Sequence, residues 1–579
     1  MRKKHFLFAS VLALLCSSST LHAQDFKLTS SGYFKNQGVD VMAFDDIYPE
    51  GHQGGVCIIM NGHRVATNGD IRLEATPGQW QPVPKQLDRK LGDNSITATL
   101  CYPDSSRHLT GFNPMIYPDL HLIYTVNVES KGKNIEVTVD LDRPIPQEFI
   151  GKVGFNLEFF PGSLFGKPWI MDGQSGIFPQ QPNSPLMTTQ PNYLHTGNYH
   201  DGKKSLADMD KLIGKGYSPI VADDIISEPY AKGTKFTSRP DDPYNKVTIE
   251  SLSGDLQLFD GRMNHNNGWF VLRSNIKPGV TKGAVKWIIT PNVVADWMYQ
   301  PVIQTSQIGY HPTQDKEAVI EMDIRDNRKE TAQIIRIDAD GEKVVKNVTP
   351  ANWGKFLRYN YLKVNFTDVK EPGLYKIKYN TSVSPIFRID NDVYARGVWQ
   401  PVLEYFLPVQ MCHMRVNEKY RVWHDCCHMD DAQMAPAHNH IDGYDQKEGL
   451  SKFKPGEVVP GVNIGGWHDA GDFDLRIESQ AGESYILALA YEAFHPNLDV
   501  TSIDQINRVT EIHQPDGKND LLQQVENGAL TVVNGYLALR RLYRGIICND
   551  LRQYVLLGDA AAMTDGKIGN EDDRWIFTE

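Results

Sequence analysis

The stretch that decides the reading is Gly465-Gly466-Trp467-His468-Asp469-Ala470-Gly471-Asp472. Two carboxylates stand three residues apart with only Ala and Gly between them, behind two glycines and a Trp-His pair. Glycine lets a backbone turn tightly and approach a ligand closely. Trp467 offers a flat apolar ring of the kind sugar rings stack on, although packing beneath the loop is the role expected of it here. Paired carboxylates suit glycosidic bond cleavage, where one group activates water or attacks while the other protonates the leaving oxygen. A bare Asp-x-x-Asp reads first as a surface turn, since Asp and Gly are common turn residues. The full octapeptide is far more specific than that.

Around this stretch the apolar period is helical. Ser479–Phe494 predicts a helix ending before Pro496. Asn519 caps a longer one, in which Leu522, Val525, Ala529, Val532 and Tyr536 recur at three- and four-residue steps and mark one buried face. Upstream, Asn391 or Asp392 can cap a helix running towards Cys412, kinked near Pro401 or Pro408 because proline removes a donor and clashes with the preceding turn.

The octapeptide resembles the catalytic signature of glycoside hydrolase family 9, the inverting endoglucanase-type enzymes. Asp520-Leu521-Leu522 through Glu526 resembles the helix that follows the signature there. The resemblance implies an all-α (α/α)6 barrel from residue 391, hydrolysing β-1,4-glucan-type polysaccharide or oligosaccharide with inversion. Asp472 would be the base that takes a proton from water, and Asp469 the carboxylate that helps position that water. The family's general acid is a Glu in an Asn-Glu motif far downstream, and Glu579 lies in no such motif. About 190 residues follow residue 390, room for roughly four or five helices. An incomplete barrel is therefore expected, from a truncated reading frame or a gene fragment. The alternative is an inactive carbohydrate-binding remnant without its acid.

A second constellation is rich in metal donors: Cys412-His413, then Trp423-His424-Asp425-Cys426-Cys427-His428. A structural zinc wants four Cys or His ligands in tetrahedral array. The positions of Cys412, Cys427, His428 and His468 match a structural zinc site of many braced family 9 members, and calcium is the other metal considered. Such a zinc would pin the signature loop to the segment before it. Against it stands a disulfide or buried thiols, since an exported chain favours oxidation, although vicinal Cys426 and Cys427 are poor partners for each other. A catalytic zinc is the weakest reading, because thiolate-rich four-ligand sites are usually closed. Asp430, Asp431, His438 and His440 read as a solvated loop. Parity would allow Cys57 to pair with Cys101, leaving Cys548 unassigned.

With 579 residues, several domains are expected. Residues 24–300 read as a β-rich sandwich: Ile135, Val137, Val139 and Leu141 alternate, as do Leu122, Tyr124, Val126 and Val128 across the turn Ser130–Lys133, which makes a hairpin. Pro, Gly, Asn and Asp between about 160 and 245 suggest long loops. Residues 301–390, with short strands near 317–322, 333–338, 362–366 and 374–379, suggest an immunoglobulin-like sandwich. Gln307-Ile308-Gly309-Tyr310-His311-Pro312 and Pro372-Gly373-Leu374-Tyr375 resemble the immunoglobulin-like module that often precedes family 9 catalytic domains, usually as a brace.

Residues 1–23 form an address: Arg2, Lys3 and Lys4, an apolar run from Phe6 to Leu15, and a cleavage site after Ala23. The protein is therefore expected to be exported, periplasmic or extracellular. Lipid attachment at Cys16 is less favoured, because Leu14-Leu15 lacks the small residue such a site prefers. A net charge of -12 argues against nucleic acid and anionic membranes as partners, and leaves neutral polysaccharides compatible. The expected partner is a polysaccharide or oligosaccharide substrate, for a monomer with no transmembrane span.

Overall fold

The computed structural model describes residues 25–45, 54–73, 84–102, 120, 122–182, 186–187, 226–263, 269–429, 432–435, 440–441, 444–469, 474–548 and 574–577. The proposed address, 1–23, lies outside them. Among the described residues no helix is long and apolar enough to cross a membrane.

The first domain is two nine-stranded sheets packed face to face. One is centred on His63–Leu73, Val153–Phe159 and Phe270–Asn275; the other on Val247–Ser251, Val285–Pro291, Asn134–Leu141 and Leu122–Lys131. The expected hairpin is present, with Val126 opposite Val139 and Lys131 opposite Asn134, so the turn is the tight pair Gly132-Lys133, with Gly132 at φ +66°. Strict alternation puts Ile135, Val137, Val139 and Leu141 into a shared core. Across that core Trp287 meets Phe155 edge-on at 5.0 Å and donates its indole N–H to Ser274 Oγ at 3.0 Å, so a large apolar ring is buried without an orphaned donor. The region expected to be long loops carries strands where it is described, among them Pro168–Met171 and Lys235–Ser238. Cys57 and Cys101 are thiols on opposite sheets, not the sulfur pair that parity allowed.

The second domain is the expected immunoglobulin-like sandwich. Val302–Gln304, Glu317–Asp323, Tyr359–Asn365 and Ala351–Phe356 form one sheet; Gly341–Val348, Ala332–Asp338, Gly373–Tyr379, Ser382–Val383 and Phe387–Ile389 form the other. Ile320, Ile334, Val364, Phe366, Ile377 and Phe387 fill the space between them.

Beyond residue 390 the chain departs from the all-α expectation. Three helices are described there: α1 (Gln400–Glu404), α2 (Ile477–Phe494) and α3 (Asp520–Leu539). With them stand two four-stranded sheets and one two-stranded sheet, one of which joins Arg415–Glu418 in parallel to Val509–Ile512. These strands are two to four residues long, too short to show a period of two in the sequence. The helix predicted from Asn391 or Asp392 is a run of turns followed by α1. Pro401 lies in the first turn of α1, where its missing N–H leaves no bond unmade, so it starts the helix instead of kinking it. α2 begins two residues earlier than predicted and ends on His495 in the left-handed region, ahead of Pro496. α3 starts as predicted, with Asn519 accepting a hydrogen bond from Leu521 N at 3.1 Å. α2 and α3 pack on each other.

Candidate functional site

The loop 464–469 lies between segment 410–413 and α3, and its backbone is satisfied from both sides. On one side Cys412 N donates to Gly466 O at 3.0 Å and His468 N to Gln410 O at 2.6 Å. On the other, Gly466 N donates to Asn527 O at 3.0 Å, Asn527 Nδ2 returns a bond to Gly466 O at 3.2 Å, and Thr531 Oγ1 donates to Ile464 O at 2.7 Å. Gln480 of α2 brackets Trp467, accepting from its N–H and donating to its carbonyl, both at 2.8 Å. Buried backbone polar groups need such partners, so the loop has few alternatives.

Close approach demands glycine on both surfaces. Gly465 sits at φ +68°, and a Cβ there would stand 2.2 Å from Asn527 O. A Cβ on Gly528 would stand 2.3 Å from the Trp467 ring. Trp467 is thus buried beneath the loop, against Gly528 and Phe406. This arrangement corrects the buried face assigned to α3. Leu522 and Tyr536 are exposed, while Gln524, Asn527, Gly528, Thr531 and Gly535 are buried. Between Leu521 and Leu539, which are buried at its two ends, the helix turns inward mainly polar and small residues, several of which serve the loop's backbone.

The four expected metal donors converge. Cys412 Sγ lies 3.2 Å from His428 Nδ1 and 3.7 Å from Cys427 Sγ; His468 Nε2 lies 3.8 Å from Cys427 Sγ and 3.1 Å from His428 Nδ1. A tetrahedral zinc with ordinary bond lengths separates two sulfurs by about 3.8 Å, sulfur from nitrogen by about 3.5 Å and two nitrogens by about 3.3 Å. These four separations are close to those values, the remaining pairs stay within 4.8 Å, and all four residues are buried. Two sulfurs 3.7 Å apart are not a disulfide, whose bond is about 2.05 Å. Hydrogen bonding from Cys412, then from His424, His428 and His468, holds the Cys427 thiol well below its usual range, favouring the thiolate that binds metal. His428 takes φ +55°, an uncommon backbone for a non-glycine residue. Soft thiolates do not suit calcium, which takes oxygen ligands. His413, also buried, bonds Gly465 O at 2.9 Å instead, and burial pushes its pKa down to about 4, keeping it neutral.

Asp469 emerges half-buried beyond His468. Its carboxylate pairs with Arg476 Nε at 2.7 Å, and its N–H donates to Asp474 O at 3.0 Å. Glu483, on α2, is raised to about 7 by burial and by the charge of Asp469. Asp472 lies outside the described residues, as do Asp430, Asp431 and His438; of His440 and Cys548 only the backbone is described. Sequence reasoning missed Arg476, Gln480, Glu483 and Asn527. For Arg476 alone there was a signal, a lone cation four residues after Asp472.

Residues 298–384 match the family model described as the cellulase N-terminal ig-like domain. Among solved structures, a Zn-binding triple mutant of the GH family 9 endoglucanase J30 is similar at 21% identity, covering 46% of this chain and 44% of that one, with a TM-score of 0.34. A Bacteroides ovatus GH9 is similar at 18% identity over 48% of this chain and 45% of that one, with a TM-score of 0.34. The chain spans less than half the length of these two. Slr1438 from Synechocystis sp. PCC 6803 is similar at 11% identity over 50% of this chain and 100% of that one, with a TM-score of 0.22. No curated protein matches.

Two predictions follow from the packing. Gly465→Ala adds a methyl against Asn527 O at positive φ and is expected to destabilise the chain by about 3 kcal/mol or more, read as a lower urea midpoint. Gly482→Ala, whose Cβ would enter open space inside α2, should instead stabilise by about 0.5–1 kcal/mol. Glu483 titrates at about 7 when folded against 4.5 ordinarily, so the folded state binds a proton the unfolded chain releases. That carboxyl costs nothing below pH 4.5 and destabilises increasingly up to pH 7. Glu483→Gln should therefore leave the melting temperature unchanged at pH 4 and raise it at pH 8; an equal change at both would refute the assignment.

Proposed function

From a chain that carries a cellulase N-terminal ig-like domain, we propose that the segment beyond it is glycoside hydrolase family 9 catalytic sequence, in an exported enzyme that cleaves β-1,4-glucan with inversion. The observation that carries this reading is the loop Gly465–Asp469, clamped on both sides and presenting a carboxylate at its end. Clamping matters because a base acts only when held in line with its water and substrate.

Asp472 takes a proton from water, and the water oxygen attacks the anomeric carbon on the face opposite the leaving group. Asp469 accepts a hydrogen bond from that water and orients it. Arg476 pairs with Asp469 and holds that carboxylate in place. Protonation of the leaving oxygen falls to an acid that we do not assign. Cys412, Cys427, His428 and His468 would hold a structural zinc. Four buried protein donors would leave no position for a catalytic water, so a zinc held there would serve to fix the start of the catalytic loop.

Asp472→Asn tests the proposal. Reducing-end release from a soluble β-1,4-glucan should fall by about 10²–10⁴-fold while binding is retained. The first product of the parent should carry the α-anomer at its new end, followed by NMR before mutarotation. A β-anomer, or equal rates in parent and variant, would refute the mechanism. A parent that binds glucan and never cleaves it would favour the carbohydrate-binding reading.

A further inference from the structure

A cleft of about 540 Å³ opens between the first sandwich and the immunoglobulin-like domain, in a part of the molecule built from residues before 360. Its walls bring together three rings, Trp297, Tyr299 and Tyr359, and a balanced set of charges that includes Asp40, Lys35 and Arg358. The volume falls within the range of small-ligand sites, roughly 300–1,000 Å³.

The rings are fixed by both domains. Trp297 O accepts from Gln37 Nε2 of the first sandwich at 2.6 Å and from an Arg325 guanidinium N–H of the second at 2.9 Å. The Trp297 ring lies over Gly38, which stands at φ +68° and where a Cβ would come within 2.9 Å of the ring. Tyr299 N donates to Asp323 Oδ2 at 3.0 Å, and its hydroxyl to Glu321 Oε1 at 2.9 Å. From Tyr299 the row of rings continues to Tyr359 at 5.0 Å, Tyr361 at a further 6.1 Å, and Trp353 5.6 Å beyond that. Trp353 is 56% exposed, so the row leads from the cleft onto the open face of the sheet.

The polar groups narrow the ligand class. Asp40 Oδ1 is buried and, among the described residues, accepts no hydrogen bond, a costly state that a ligand hydroxyl would relieve. Lys35 and Arg358 are donors that the same ligand could satisfy as an acceptor. The lining carries three carboxylates and four cations, so the cleft has little net charge with which to select an ion. A neutral molecule with apolar ring faces and hydroxyl edges meets all three demands. We propose that this cleft is a second binding site, separate from the Asp469 loop, for a neutral oligosaccharide. The choice of β-1,4-glucan as that oligosaccharide rests on the function proposed above.

The test uses the full chain carrying Asp472→Asn, so that the probe is not consumed. Cellotetraose is titrated calorimetrically, and the protein is run in native gels containing hydroxyethyl cellulose. Trp297→Ala and Asp40→Asn should each abolish one class of binding site or weaken it roughly tenfold, with Trp297→Phe retaining most of it. Asp40→Asn keeps the shape of the side chain, so it remains informative if Trp297→Ala fails to fold. Isotherms unchanged in both variants would place the ligand elsewhere and overturn the proposal, as would a parent that does not bind. Hydrolysis by the chain with Asp472 intact is scored separately. Cleavage without cleft binding therefore sinks this inference alone, and cleft binding without cleavage sinks only the hydrolase reading.

Discussion

The candidate site depends on one constraint, the burial of the backbone of Gly465 and Gly466 against a helix. A strand of backbone can approach a helix this closely only if neither surface carries a Cβ at the contact, and only if each N–H and carbonyl finds a partner. Gly465 and Gly528 meet the first condition; Asn527, Thr531 and Gln480 meet the second. Trp467 then has one place to go, beneath the loop. His468 follows with its ring directed at Cys427 and His428, and Asp469 emerges on the far side beside Arg476. One interaction thus sets the positions of the metal donors and of a carboxylate.

The same constraint explains the unusual composition of α3. A helix on the surface of a domain ordinarily turns its apolar stripe inward. Here the inward stripe is Gln524, Asn527, Thr531 and two glycines: the polar side chains bond backbone, and Gly528 and Gly535 make room for the rings of Trp467 and Tyr543. Gln524 extends the pattern by donating to Leu403 O at 2.8 Å. Such a network is costly when half satisfied and restrictive when complete, which favours a single arrangement of the loop.

The legible parts of the sequence were those with a repeating physical signal. Alternation in 122–141 gave the hairpin and its inward face, and regularly spaced short strands gave the immunoglobulin-like sandwich. Asn519 announced the start of α3 because an Asx cap is a local event. The burial of α3 was not legible: periodicity registers apolar residues, and the inward side of this helix is polar. The sheets between 415 and 577 were equally hidden, since parallel pairing of Arg415–Glu418 with Val509–Ile512 joins segments almost a hundred residues apart. The metal donors were legible only as a cluster of types. By residue type Cys426 and Cys427 look alike, and only the family resemblance singled out Cys427, which lies in the cluster, while Cys426 Sγ reaches Arg508 O at 3.8 Å.

The account turns on a closed Cys2His2 centre at the root of the carboxylate loop. X-ray absorption at the zinc edge, with metal analysis of the purified full chain, tests that most directly. One zinc per chain, with two sulfurs at about 2.3 Å and two nitrogens at about 2.0–2.1 Å, is the predicted result. A metal-free chain with Cys412 and Cys427 joined in a disulfide, or a zinc with an oxygen ligand in place of a thiolate, would contradict it.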